Sequence, residues 1–552
     1  MTDHHRQISV ADRAGAMQHY ALTLDRFIDH AAKWHGATEV VTGGEGASTR
    51  IGYAALRERS NRLSGAFRSL GLTPGDNLGI IAWNTQAQME CWYGAMGIGI
   101  VCHTLNPRLS PAHLAGMIAQ AANRVLVVSP DLVELAEALV PLCATIEHIV
   151  VLDEPGAAAR LPNGGRVRVW RYGNLLERHG EATTWGGFDE AAPAGLCFTS
   201  GTTGAPKGVT YTHRSNYLHT LHQLQTDVLG VTARDVLLVA VPMFHANGWG
   251  LPFAGPAVGA TLVLPGRHQD GASLARLINA ERVSIAVGVA TVWLGLADHL
   301  DETGGEVPSL ERIMLGGSPV PQALMDRLER RLGVTIQTSW GMTELSPLGT
   351  VTPPTAPVRR SSQSGRPPIG VDLLLTDADG APLPDQRGRE GRLRARGASV
   401  VDRYFGHDEP AADADGWFDT GDLAVIDRDG MVSITGRVKD LIKSGGEWIN
   451  PGEIEAIVGA LPEVALAAVV GRADAKWGER PVLVIEPRKG VDISDAALLG
   501  ALRGRVAKWW LPDAIVRVAA MPLAVTGKID KALLRAGLAD SEPARAAAGG
   551  SC

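Results

Sequence analysis

Cysteine is scarce. Five in 552 residues (Cys91, Cys102, Cys143, Cys197 and Cys552), none in Cys-x-x-Cys spacing, exclude a disulfide scaffold and a thiolate zinc site. Long apolar runs are missing as well. Nothing reaches the roughly 18 uninterrupted apolar residues of a membrane-spanning helix, and Val125–Val128, Val236–Val241 and Leu262–Leu264 are strand-sized. The opening residues lack the basic stretch and apolar core of a secretory signal, so a cytoplasmic protein without a transmembrane segment is expected. A cationic surplus is absent too. With 59 acidic residues against 52 Lys and Arg, the net charge is −7, which argues against binding driven by a nucleic-acid backbone. Lysine is rare, nine against 43 arginines, so a Lys inside a Gly-rich segment is not there by background abundance.

What is present reads as a folded α/β chain. Hydrophobic residues make up 45% and charged residues 20%, enough for a sizeable core. From about residue 20 to 430, strand-like runs alternate with helical periodicity, as in Leu24–Trp34 with Thr23 as N-cap, Ile80–Trp83 and Leu126–Val128. Between Gly365 and Thr435, Asp-Gly pairs at 379, 415 and 429 separate short strands, predicting hairpins or a small barrel. After Gly436 a compact α+β unit begins, with a helix start at Asn450-Pro451, a strand at Val464–Val470 and a helix over Asp495–Trp510. The division expected is 1–436, 437–540 and a low-complexity, disordered tail over 541–552.

The segment richest in chemistry is Thr199-Ser-Gly-Thr-Thr-Gly-Ala-Pro-Lys-Gly208, directly after apolar Gly195–Phe198. Small hydroxyl and Gly residues after a strand offer backbone N–H groups and hydroxyls to an anion, and Lys207 adds charge. The Gly-Lys-Ser/Thr ending of a Walker A loop is missing. Here the chain resembles the adenylate-forming acyl-CoA synthetases and their peptide-synthetase and luciferase relatives. Four further segments match in family order: Met243–Trp249, Trp340-Gly-Met-Thr-Glu344, Gly416–Asp422 and Gly436–Glu447, followed by Thr526-Gly-Lys-Ile529. The resemblance runs from about 20 to 535 and implies a large N-terminal domain of two mixed sheets with helices plus a small β-barrel. A smaller, mobile α+β C-terminal domain would follow.

The resemblance also implies roles. A carboxylate must attack the α-phosphate of ATP, two anions meeting, so cations and a metal have to gather at the phosphates. Thr199, Ser200, Gly201, Thr202, Thr203, Gly204 and Lys207 would hold the pyrophosphate, with Thr199 and Glu344 at Mg²⁺. Gly317, Ser318, Ser339, Trp340, Gly341, Met342 and Thr343 would border the adenine and ribose. Asp422, with Arg437 nearby, would take the ribose hydroxyls. Trp340 stands where the family usually has Tyr. Lys528 would bridge the substrate carboxylate and the α-phosphate, and His245 would lie beside the reacting carboxylate. Lys439 falls at the family's hinge. In the second half-reaction Lys443, Gly445, Gly446 and Trp448 would border the coenzyme A channel.

For the acid, the segment 243–256 carries no acidic residue to receive an ammonium, so an amino-acid substrate is disfavoured. Gly341 stands where acetate-specific relatives place a bulky aromatic, which predicts room for a longer acyl chain. His245, Asn247, Trp249, Val292, Gly317 and Gly341 are the pocket expected. Trp293 reads equally as core or pocket. The similarity favours a medium- to long-chain fatty acid, with aryl, cinnamate-like or methylthiopropionate acids as alternatives. Further alternatives are an adenylating enzyme with a non-CoA acceptor and a catalytically dead acyl-binding scaffold. The partners implied are the small-molecule acid, ATP and CoA, with a homodimer by resemblance and weak peripheral membrane contact if the acid is long.

Overall fold

The structure, a computed structural model, describes residues 17–153, 165–199, 206–317, 320, 322–445, 447–488, 490–524 and 528–539. It is a mixed α/β architecture built on two large sheets. One has seven strands in the order Arg168–Arg171, His148–Val151, Val125–Val128, Asn77–Ile81, Val101–Thr104, Pro193–Phe198 and Gly208–Thr212, parallel except for the last pair. The other has eight, in the order Leu348–Val351, Thr335–Gly341, Arg312–Leu315, Ile285–Gly288, Val236–Val239, Thr261–Leu264, Glu39–Thr42 and Thr49–Gly52. Its two edge pairs are antiparallel and its interior is parallel.

The strands are apolar on both faces because both faces are covered. In Val125–Val128 the first and third residues enter the core between the sheets, and the second and fourth enter the core beneath the outer helices. Helices Asp25–Trp34, Tyr53–Ser69, Gln86–Met96 and Leu251–Val258 fill the layer between the sheets. Trp293 is fully buried in the outer core of the eight-stranded sheet, so it is a packing residue.

The hairpins expected over 365–435 form an antiparallel meander, Val371–Thr376, Glu390–Gly397, Phe418–Ile426 and Val432–Arg437, in sequential order. Its strand order is open, not the closed ring of a barrel. From Ile442 onward the chain packs around cores of its own, on either side of a five-stranded sheet. Asn450 caps helix Pro451–Gly459 as expected, its side chain accepting from Gly452 N at 3.0 Å. Two local expectations differ. Leu24, not Thr23, caps the first described helix, without a side-chain bond. The helix at Asp495 ends at Leu502, because Arg503 turns extended and Gly504 takes φ +74° before a short 3-10 turn at Lys508–Trp510. Among the described residues no helix is long and apolar enough to cross a membrane.

Candidate active site

Three structural units converge on one cleft. The edge of the eight-stranded sheet supplies Trp340 and, three residues beyond its strand, Glu344. The meander supplies Asp422 and Arg437, which face each other in register across adjacent strands. The C-terminal unit supplies Lys528, held by a bridge between Leu523 and Ile529 and a bond from Ala524 N to its own carbonyl at 2.7 Å.

Asp422 is the centre of charge. Its side chain is 1% exposed, Arg437 Nε lies 2.7 Å from Oδ1, and Trp340 Nε1 donates to Oδ2 at 2.8 Å. Burial raises its pKa, and Arg437, the indole N–H, Lys528 and Lys439 counter that. Oδ1 has an ion pair but no aligned hydrogen bond. A buried acceptor in that condition is suited to a hydroxyl donor such as a ribose supplies.

Glu344 is also buried, and desolvation raises its pKa despite the Tyr404 hydroxyl, which donates to Oε1 at 3.1 Å, and the attraction of Arg437 and Lys207. Lys207 Nζ stands 4.6 Å from the centre of the Tyr404 ring. Tyr404 thereby joins the end of the phosphate loop to the carboxylate. Backbone bonds from Phe405 N to Gly208 O and from Val401 N to Glu344 O, both 2.8 Å, fix the strap that carries it. One buried carboxylate suits Mg²⁺, which keeps waters and substrate phosphates in its shell. Glu344 and Thr199 are the residues that would hold the ion.

Lys528 is exposed to solvent, although protein groups crowd around its ammonium. The surrounding walls and Arg437 push its ammonium down toward about 8, while Asp422 and Glu344 pull the other way. Its Cε is 3.9 Å from where a Cβ on Gly317 would stand. The lysine stem thus passes within van der Waals reach of Gly317, a position that suits glycine because its φ is +88°. His245 is part of the same group: burial and the nearby Lys528 hold its imidazole near 4, so it is neutral.

Of the other expected residues, Ser339 Oγ is spent on Leu315 O at 2.9 Å. Met342 N closes the turn onto Pro347 O at 3.0 Å, and Thr343 O accepts from the Tyr211 hydroxyl at 2.9 Å. Lys439 sits in the short 3-10 turn Val438–Asp440, its ammonium lowered by burial and Arg437. Lys443 and Trp448 pair across the hairpin Ile442–Ser444 and Glu447–Ile449, and Gly445 at its tip packs beneath Trp477. Exposed Trp477 and Trp509 adjoin this tip through Arg480, which bonds Ser444 Oγ at 3.0 Å and Trp509 O at 2.7 Å. Ser200, Gly201, Thr202, Thr203, Gly204, Ser318 and Gly446 lie outside the described residues.

Three pocket expectations change. A Cβ on Gly341 would stand 2.1 Å from Pro347 O, so its own hairpin suffices to require this glycine. Asn247 is turned into the core against Gly195 and Cys197. Val292 packs against the outer core of the eight-stranded sheet. Trp249 does stand at the cleft, its ring edge laid along Gly316 and Gly317 beside the Lys528 stem. Tyr404 is not legible from sequence, since nothing in Arg-Tyr-Phe-Gly carries a spacing that ties it to Glu344.

Comparison with known proteins agrees with this geometry. Residues 27–405 match the profile of the AMP-binding enzymes, and residues 453–528 match that of the AMP-binding enzyme C-terminal domain. The chain is 41% identical to a 3-methylmercaptopropionyl-CoA ligase of Ruegeria lacuscaerulensis, covering 94% of this chain and 98% of that one. It is 39% identical to a medium-chain-fatty-acid–CoA ligase of Ectopseudomonas oleovorans, covering 94% and 97%. Among solved structures, ATP-bound MatB from Rhodopseudomonas palustris superposes with TM-score 0.82 at 25% identity, over 94% of this chain and 99% of that one. With both profiles matched in order and the cleft assembled from the motifs that carry them, the chain belongs to the AMP-binding enzyme family, in its acyl-CoA synthetase branch.

Proposed function

We propose that the protein joins an unbranched aliphatic or thioether monocarboxylic acid of short to medium length to CoA, in two steps through an acyl-adenylate. The observation that carries this reading is the convergence of Lys528, Asp422, Arg437 and Glu344 in one cleft. Lys528 presents a point charge between the incoming carboxylate and the α-phosphate and lowers the repulsion between them. Asp422 orients the ribose, and Arg437 favours its ionised form against the cost of burial. When bound at Glu344 and Thr199, Mg²⁺ supplies charge neutralisation at the phosphates. Neutral His245 offers the substrate carboxylate a hydrogen bond without adding a charge. In the second step the CoA thiol takes the acyl group and AMP leaves, and the Lys443–Trp448 hairpin is the proposed border of the thiol's channel.

Chain length follows from Trp249. The ring beside Gly316 and Gly317 occupies the space next to the reacting carboxylate, which favours a compact chain. The relatives that act on 3-methylmercaptopropionate and medium-chain fatty acids support the same range. The test is pyrophosphate release with ATP, Mg²⁺ and CoA over acetate, butanoate, hexanoate, octanoate, palmitate, benzoate, cinnamate and 3-methylthiopropionate. A maximum between butanoate and octanoate, or at the thioether acid, is expected. A maximum at palmitate or an aryl acid refutes the pocket, and silence throughout refutes the ligase. AMP release that ignores CoA would mark a different acceptor. We further propose a cytoplasmic homodimer, which light scattering of the purified protein tests.

A further inference from the structure

Residues Ala246 to Gly250 form a left-handed helical turn: all five have positive φ, at 43°, 53°, 57°, 55° and 76°. L-residues avoid this conformation, and successive ones are rarer still. Asn247, Gly248 and Gly250 are types that tolerate it, whereas Ala246 and Trp249 are not. Such a turn persists only where its surroundings over-determine it.

Those surroundings come from helix His213–Gln223. Gln223, almost fully buried, donates from Nε2 to the Trp249 carbonyl at 2.5 Å. His219, equally buried, accepts from Leu348 N on Nε2 at 3.2 Å, which leaves the proton of the neutral ring on Nδ1. A Cβ on Gly250 would stand 2.9 Å from that Nδ1 and 3.1 Å from Gln223 Oε1. One face of one helix thus grips the turn bearing Trp249 and the strand that follows Glu344. The turn is tied at its own ends by Gly248 N to His245 O at 3.0 Å and by Leu251 N to Gly248 O.

We propose that Gln223 and His219 are positioning residues for acyl-chain selectivity: by holding the left-handed turn they fix the Trp249 ring against Gly316 and Gly317 and so set the depth of the acyl site. Neither residue touches the reacting atoms. The proposal rests on the acid–CoA ligase reading above. With the carbonyl of Trp249 released, the turn relaxes toward right-handed geometry, the indole leaves the glycine pair, and longer chains gain room.

The test compares wild type with Gln223→Met, which keeps the side chain's shape and removes the donor. The rates measured are kcat/KM for butanoate, 3-methylthiopropionate and octanoate, alongside KM for ATP and the melting temperature. The ratio of octanoate to butanoate is expected to rise about tenfold, the scale at which an apolar pocket discriminates small changes in chain size, with KM for ATP within about twofold. Should this variant fail to fold, Gly250→Ala drives a methyl into His219 and Gln223, pushes the turn off the same helix face, and is expected to move the ratio the same way. A purely structural role would lower the melting temperature and all three rates alike, leaving the ratio unchanged. That result overturns the proposal. Inactivity of the wild type on every acid would instead bring down the ligase reading, and the proposal with it.

Discussion

The indole N–H of Trp340 donates to a carboxylate oxygen that is almost wholly out of water, and its removal is the sharpest test of the site. Trp340→Phe keeps an aromatic ring over Gly349 and deletes only the donor and part of the ring. A hydrogen bond to a charged group contributes about 1.5–3 kcal/mol. Asp422 would keep Arg437 on Oδ1 but with one counter-interaction fewer. If the ribose is read by the ionised form, KM for ATP should rise, by at most roughly 10- to 150-fold, which is this whole energy expressed as an affinity. The sign with pH follows. Burial already raises the Asp422 pKa, so activity is lost as pH falls through it, and losing the indole donor raises it further. The acid limb of kcat/KM for ATP should therefore move to higher pH. Pyrophosphate exchange between pH 5 and 8 measures both effects, and a melting curve separates them from lost packing. An unchanged KM for ATP together with a superimposable acid limb would refute the argument.

Two further outcomes are expected. Lys528→Ala should abolish acid-dependent pyrophosphate exchange while the melting temperature holds; in the wild type, because the required ammonium is pushed down toward about 8, exchange should decline as pH rises through that value. Gly341→Ala should destabilise the protein by about 2–4 kcal/mol through backbone collision with Pro347, seen in denaturant melts, and should not shift acyl preference.

The cleft was largely legible in the sequence, because its chemistry depends on residue types that composition makes rare. Lys207 and Lys528 stand out among nine lysines; Lys528 meets both Asp422 and Glu344 in space, and Lys207 meets Glu344. The layered fold was legible for a related reason: Val125–Val128, apolar at every position, predicts a strand covered on both faces. The pocket was harder to read. Asn247 and Gly341 lie within recognisable segments, but which way a side chain points depends on backbone geometry that no spacing encodes. A left-handed turn reverses the facing of Asn247, and the close return of Pro347 accounts for Gly341. Gln223 and His219 escaped notice because a polar residue on a helix reads as solvated until something is shown to bury it. The same ambiguity hid Tyr404, whose role exists only through the strap that lays it between Lys207 and Glu344.

The balance of charge in the cleft explains why these groups must be brought together by folding and cannot be left to a single loop. Arg437 and Lys439 both depress the ammonium of Lys528, so the cations oppose one another wherever Asp422 and Glu344 do not intervene. The two carboxylates, in turn, are held above their usual pKa by burial, which the cations only partly offset. Each sign is tolerable only in the presence of the other, and the cations, counting Lys207, outnumber the anions. A triphosphate and a carboxylate supply the negative charge that the protein's own groups do not. The charge of the cleft is therefore better balanced with polyphosphate bound than without it. That is the direction required if binding energy is to be used in assembling Lys528 from one structural unit against Asp422 and Glu344 from two others.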